Sequence, residues 1–377
     1  MSENRIENRL KITVILGTRP EIIRLSEIIK AARKVFEVRL IFTGQNHQPY
    51  LGANFLEELK IGEPDLSLGL AELTIGEFLS GLFSEMEKEL ISNRPDAILV
   101  LGDTNSGLTS VLARRLRIPV FHLEAGNRSF DDNVPEEINR RIIDHASDFN
   151  LAYTETARSN LLSEGFHPRK IAVVGSPMKE VILANTFQGK SSELFEKFGV
   201  SKNEYFVFSS HRQENVDNPE RLKKILNCLE ILAVQENSKV LVSGHPRFMS
   251  YFKKSTVTLS ENVKLCEPFG YADFLYLQQN AKCVVSDSGS LSEEAAILGF
   301  KAISLRDSTE RPEAIEAGNV ILSGTSTIGF TQSLEIVKHF AKSKSIPPEY
   351  QIEDTSIRVV SFIQSTVHQS KFWSGLR

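Results

Sequence analysis

With 377 residues, of which 41% are hydrophobic and 24% charged, the chain has enough apolar material for two domains, each with its own core. Its formal net charge of −4 argues against a nucleic-acid or anionic-membrane surface as the main partner, while leaving room for a local pocket that takes a small anion. The opening MSENRIENRL is polar and no later run approaches the ~18 apolar residues of a membrane helix, so a cytoplasmic protein is expected.

Short Val/Ile/Leu-rich runs alternate with helix-length amphipathic segments, the pattern of βαβ units in which a parallel sheet is covered on both faces. KITVIL, residues 11–16, runs into GTRPE, where Gly17 permits a tight turn and Pro20 suits the start of a helix. Arg19 then sits at the positive end of a helix dipole, an unfavourable place for a guanidinium unless an anion shares it. The plainer reading is a surface arginine paired with Glu21. VRLIFT leads into TGQNHQPYL, and DAILVL into GDTN, which places Asp103 just beyond a strand and Ser106 where it could cap the next helix. IPVFHL ends at Glu124. Gly126 then turns the chain, and Pro135, Glu136 and Glu137 open a helix on which Glu136 and Arg140, like Glu137 and Arg141, lie four apart on one face. Surface salt bridges would explain one such pair. Several acids and arginines at the carboxyl ends of the strands, where ligands of such sheets bind, suit proton-transfer chemistry better, because close charges drive carboxyl pKa values apart.

KIAVV closes the first half, and the polar stretch NTFQGKSSELFEKFGVSKNEY puts a boundary near residue 185, giving domains 1–185 and 186–353. YFVFSS is followed by His211 and Arg212, and KVLVSG by His245 and Arg247, so two histidines stand at corresponding strand ends. KCVVSD is followed by Ser288, Gly289 and Ser290 at the start of a helix, where hydroxyls and backbone N–H groups can cradle a phosphate. Glu294, one turn further, could accept both hydroxyls of a ribose, although an ordinary Ser/Gly turn with a capped helix has the same composition. KAISL leads to RDSTERPEAIEAG, which adds Arg306 and Arg311 to this edge. In the tail, Ile357, Val360, Ile363 and Val367 have helical spacing, so a helix over about 354–372 is expected to pack back onto the first domain. Cys228, Cys266 and Cys283 lack paired ligand spacing and read as buried thiols, with no metal site implied.

In order and spacing, GTRPE, GDTNS, HLEAGNRS, VPEEINRR, SSHRQEN, SDSGSLSEEA and RDSTERPEAIEAG resemble the motifs of the non-hydrolysing UDP-N-acetylglucosamine 2-epimerase family, over residues 11 to about 325. The resemblance implies an α/β protein of two Rossmann-like domains facing across a cleft, as in GT-B glycosyltransferases, that takes a UDP-sugar, forms a homodimer and needs neither metal nor nicotinamide cofactor. It implies that Asp103, Glu124, Glu136, Arg140 and His211 surround the reacting sugar. The UDP would be held by Arg19, His211, Ser288, Gly289, Ser290 and Glu294, joined by Arg212, His245 and Arg311. The implied route eliminates UDP to leave a 2-acetamidoglycal and adds it back with C2 inverted. Asn46 in TGQN, the SPM segment and SGHPR depart from the glucosamine enzymes, and GNRSFDDNVPEEINRR, GSPMKEV and PFGYADFLYLQQNA look closer to a sister branch. That branch converts UDP-2-acetamido-2,6-dideoxy-L-talose to UDP-N-acetyl-L-fucosamine for surface polysaccharide. The alternative is the UDP-N-acetylglucosamine/UDP-N-acetylmannosamine reaction. A hydrolysing epimerase would release free sugar, and a GT-B glycosyltransferase would share the fold without needing this set of acids.

Overall fold

The Val/Ile/Leu runs form strands because both of their faces are buried, as parallel sheets require. The computed structural model describes residues 9–45, 53–71, 73–185, 191–255 and 257–373; Asn46 and the rest of its segment through residue 52 lie outside them. The chain divides into two units, Met1–Ala184 with Ile352–Arg377, and Asn185–Gln351.

The first unit holds β1 (Lys11–Leu16), β2 (Glu37–Phe42), β3 (Leu66–Ser67), β4 (Ala97–Leu101), β5 (Val120–Leu123), β6 (Phe149–Ala152) and β7 (Ile171–Val173). All pair in parallel, in the order β3-β2-β1-β4-β5-β6-β7. The helix Arg19–Val35 lays Ile22, Leu25, Ile28 and Ile29 into the core, fully buried, at ~1.5–3 kcal/mol each. The C-terminal helix Thr355–Thr366 packs against it and continues as a 3₁₀ turn, Val367–Gln369, and a last short helix, Ser370–Trp373. Phe362 meets Phe121 and Phe149 edge-on, and Trp373 meets Phe149 at 5.9 Å between ring centroids.

The second unit holds β8 (Tyr205–Ser209), β9 (Lys239–Ser243), β10 (Val263–Cys266), β11 (Cys283–Ser286), β12 (Ala302–Ser304) and β13 (Ile321–Leu322), all parallel in the order β10-β9-β8-β11-β12-β13. Alternate residues of β8 face opposite layers. Phe206 and Phe208 join Leu222, Ile225 and Phe330 on one side. Tyr205 and Val207 join Leu277, Leu291 and Phe300 on the other. Cys228 and Cys283 are buried free thiols, whereas Cys266 is only half-buried on the edge strand β10.

Both sheets reverse their strand order once, between β1 and β4 and between β8 and β11. At such a reversal the flanking loops run apart and open a crevice beyond the carboxyl ends of the strands, where ligands of open α/β sheets bind.

Candidate active site

At the reversal in the first sheet the loop after β1 and the loop after β4 are joined by Glu21. Its carboxylate accepts from the Gly17 N–H (3.0 Å), the Thr18 hydroxyl (2.8 Å) and the Thr104 hydroxyl (3.0 Å). Burial pushes this carboxyl up to about 7, against the pull of those hydrogen bonds. Arg19 is the first residue of the helix and is half-buried, while Glu21 points inward to the turn. Gly17 is needed for space, not for a special turn: a Cβ there would stand 2.2 Å from Thr43 Oγ1 and 2.3 Å from Ser106 Oγ. Ser106 does not cap the next helix as its position suggested, because its hydroxyl bonds Thr43 (2.8 Å) and Gln45 (3.3 Å).

Asp103 lies in the loop after β4 and pairs with the buried Arg140 guanidinium. The helix Pro135–Ala146 supplies that arginine, and its fully buried Glu137 faces both Arg140 (2.6 Å) and Arg141 (3.2 Å). Burial opposes ionisation of Glu137, but the Ser129 N–H and Arg140 outweigh it and hold the carboxyl below its ordinary range. Spacing points to Glu136, at the half-buried start of the same helix, and offers Glu137 only as a partner of Arg141. Asn139 donates to the Asp103 carbonyl at 3.0 Å. Glu124 follows β5 with φ +68°, a left-handed conformation that costs a non-glycine residue energy. Its carboxylate lies 3.4 Å from Arg24, which stacks on the Tyr153 ring at 5.7 Å. Asp103 and Glu124 thus each have an arginine at the carboxyl edge of one sheet.

At the reversal in the second sheet the organiser is Asp287, which no spacing in the sequence marks out. Fully buried after β11, it accepts from the Ser210 hydroxyl (2.7 Å), the backbone N–H of His211 (3.0 Å) and Arg212 (3.1 Å), and Asn215 Nδ2 (3.0 Å). Burial alone would raise its pKa, but His211 and the donated bonds hold it below the ordinary range. His211 Nδ1 stands 3.4 Å from this carboxylate, and the His211 and His245 rings lie 5.1 Å apart, so the two strand-end histidines do come together. His245 also caps the helix Pro246–Lys254, its Nδ1 accepting from the Arg247 N–H at 3.2 Å.

Ser288, Gly289 and Ser290 form the turn into the helix Leu291–Leu298. The Ser288 N–H is already taken by Ser286 Oγ (3.0 Å), and the hydroxyls of Ser288 and Ser290 are 3.0 Å apart. A Cβ on Gly289 would lie 3.0 Å from Glu310, 3.4 Å from Arg311 and 3.7 Å from Arg212, so the turn rests on a charged floor. In that floor Arg311 bonds Glu293 (3.0 Å) and Glu310, and Arg306 bonds Glu310. Burial disfavours the Glu310 charge, yet Arg306, Arg311 and Arg212 together hold it well below the carboxylate range. Glu294 is buried and accepts from Gln278 Nε2 at 2.8 Å. Hydroxyls, arginines and histidines at one strand edge suit a phosphate or diphosphate. Among the described residues no three His, Cys, Asp or Glu side chains are grouped to hold a metal ion, and no helix is long and apolar enough to cross a membrane.

A family model described as UDP-N-acetylglucosamine 2-epimerase matches residues 29–364. The UDP-N-acetylglucosamine 2-epimerase of Methanocaldococcus jannaschii is 40% identical over 338 residues, 87% of this chain and 92% of that protein. The UDP-2,3-diacetamido-2,3-dideoxy-D-glucuronate 2-epimerase of Pseudomonas aeruginosa is 32% identical over 84% of this chain and 89% of its own length. Among solved structures, the crystal structure of the Methanocaldococcus jannaschii UDP-GlcNAc 2-epimerase in complex with UDP-GlcNAc and UDP superposes with a TM-score of 0.88 at 37% identity, covering 94% of this chain and 100% of that one.

Proposed function

The chain belongs to the UDP-N-acetylglucosamine 2-epimerase family, and we propose that it is an isomerase that inverts C2 of a UDP-N-acetylhexosamine by eliminating and re-adding UDP. The observation that carries this reading is the pair of acids at the carboxyl edge of the first sheet, Asp103 held by Arg140 and Glu124 held by Arg24. In the elimination, a carboxylate takes the C2 proton, the C2–H electron pair forms the C1=C2 double bond, and the C1–O bond breaks with its pair going to UDP. Readdition reverses each change and delivers the proton to the opposite face of C2. Asp103, Glu124 and Glu136 are the groups we assign to that proton, with Arg140 paired to Asp103. Arg212 and Arg311, beside the Ser288–Ser290 turn, would offset the charge gathering on the departing diphosphate. Arg19, His211 and His245 are assigned to the same anion, and Glu294, oriented by Gln278, to the ribose.

For the substrate, relatives named for UDP-N-acetylglucosamine at 40% and 38% identity support that sugar. The second reading, UDP-2-acetamido-2,6-dideoxy-L-talose going to UDP-N-acetyl-L-fucosamine in polysaccharide synthesis, is favoured by the SPM, SGHPR and PFGYADF segments. The cytoplasm and a homodimer remain part of the proposal. Each UDP-sugar should be incubated separately in heavy water and followed by proton NMR. The true substrate yields its C2 epimer with deuterium at C2. Turnover with the original hydrogen retained at C2 would overturn the route, and release of free sugar would make the protein a hydrolysing epimerase.

A further inference from the structure

The imidazole of His122, in the middle of the first sheet, is fully buried and has both nitrogens engaged. Nδ1 lies 2.7 Å from Asp144 Oδ1 and Nε2 lies 2.7 Å from the Gly102 carbonyl. A carbonyl oxygen only accepts, so Nε2 carries a hydrogen. Asp144 is buried too, takes the Gly126 N–H (3.2 Å) and pairs with Arg128 (2.7 Å). Burial works against its charge, but His122 and Arg128 keep the carboxyl below its ordinary range. Nδ1 faces that carboxylate, so the ring bridges Asp144 and the Gly102 carbonyl. The remaining charges around the pair are accounted for: Arg128 also bonds Glu164 (2.6 Å), which His145 approaches at 3.7 Å.

The ends of this network are the residues next to the proposed acids. Gly102, at φ +68°, immediately precedes Asp103; Gly126, at φ +80°, follows the left-handed Glu124 by two residues. Asp144 lies on the helix that carries Glu136, Glu137 and Arg140. We propose that His122 and Asp144 are positioning residues, a buried imidazole–carboxylate pair that sets the Asp103 loop, the Glu124 loop and the Arg140 helix relative to one another. Each arm uses its own ring nitrogen, so this one side chain reaches both.

This inference rests on the epimerase reading, and the test separates the two. His122→Gln keeps a donor near the Nε2 position, towards Gly102, and loses the Asp144 arm; His122→Asn keeps an amide near Nδ1 and loses the Gly102 arm. Both variants should turn over ~10- to 100-fold more slowly, since sub-ångström displacement of reacting groups is costly, while UDP affinity stays within about twofold. In heavy water, intermediate that returns to substrate and intermediate that goes on to product both acquire deuterium at C2, each from the acid on its own face. The ratio of deuterated substrate to deuterated product should therefore move in opposite directions in the two variants. An unchanged ratio in both would reduce the pair to general structural support. If the epimerase reading itself fails, the wild type incorporates no deuterium with either sugar. Should neither variant fold, nitrogen-15 NMR of the histidine-labelled wild type still decides: a slowly exchanging Nε2–H signal for His122 is expected, and a ring whose Nε2 carries no hydrogen would overturn the proposal.

Discussion

Replacing Glu21 by Gln keeps the shape of the side chain and its bonds but removes a proton site. The amide oxygen can accept from the Gly17 N–H and the Thr18 hydroxyl, as one carboxylate oxygen does now, and the amide nitrogen can donate to a rotated Thr104 hydroxyl. In the wild type, burial raises the carboxyl from 4.5 to about 7. Between those values the folded protein binds a proton that the unfolded chain has released, so stability falls as pH rises through that window and is level above it. At ~1.4 kcal/mol for each tenfold change in proton affinity, the loss across the window is about 3 kcal/mol. The Glu21→Gln protein has no such limb: it should come close to the wild type near the lower end of the window and exceed it by up to about 3 kcal/mol at about pH 8. Trp373 is the only tryptophan in the chain and packs on Phe149 in the unit that holds Glu21, so its fluorescence in urea follows the relevant unfolding. Parallel stability curves for the two proteins between about pH 5 and 8 would refute the reasoning.

Asp287→Asn turns one of two acceptor oxygens into a donor facing Ser210, His211, Arg212 and Asn215, at a cost of roughly 3 kcal/mol, and should weaken UDP binding at least ~10-fold by calorimetry. Because its neighbours hold the wild-type carboxyl below 3.8, that stabilisation is present above this value and lost as pH falls through the lowered one. The variant should lack this acid limb, and unchanged UDP affinity would remove Asp287 from the anion site. Gly17→Ala forces a methyl into Thr43 and Ser106 and should cost ~1–3 kcal/mol, read as a lower melting temperature; an unaltered melting temperature would show that the turn has room to move.

Strands with unbroken apolar runs, such as AILVL and YFVFS, were legible because burial on both faces leaves no other composition. Phe149–Ala152 is not legible although it pairs on both sides, since Asn150 interrupts the run, its amide donating to the Asp144 carbonyl at 3.3 Å. Leu66–Ser67 and Ile321–Leu322 are two-residue edge strands, too short for any periodicity. Residues of the candidate site announced themselves when they stood at strand ends, as Asp103, Glu124 and His211 do. The organisers did not. Asp287 collects donors from residues 72 to 77 positions away, and Glu21 reaches Thr104 across 83, so their burial and partners exist only once the sheets are assembled. His122 sat inside a quoted strand, but a polar residue in an apolar run carries no sign of the carboxylate it will meet.

The first unit's last pieces come from the far end of the chain, and this matters while the protein is being made. Phe121 and Phe149 leave the ribosome long before Phe362 and Trp373, the aromatic rings that pack on them. At ~5–20 residues per second the intervening chain takes roughly 10 to 40 seconds to appear. Throughout that interval the nascent sheet lacks these aromatic partners, while the second unit, continuous from Asn185 to Gln351, has all of its sequence available before the first is complete. The half of the protein translated first is therefore the half whose assembly ends last.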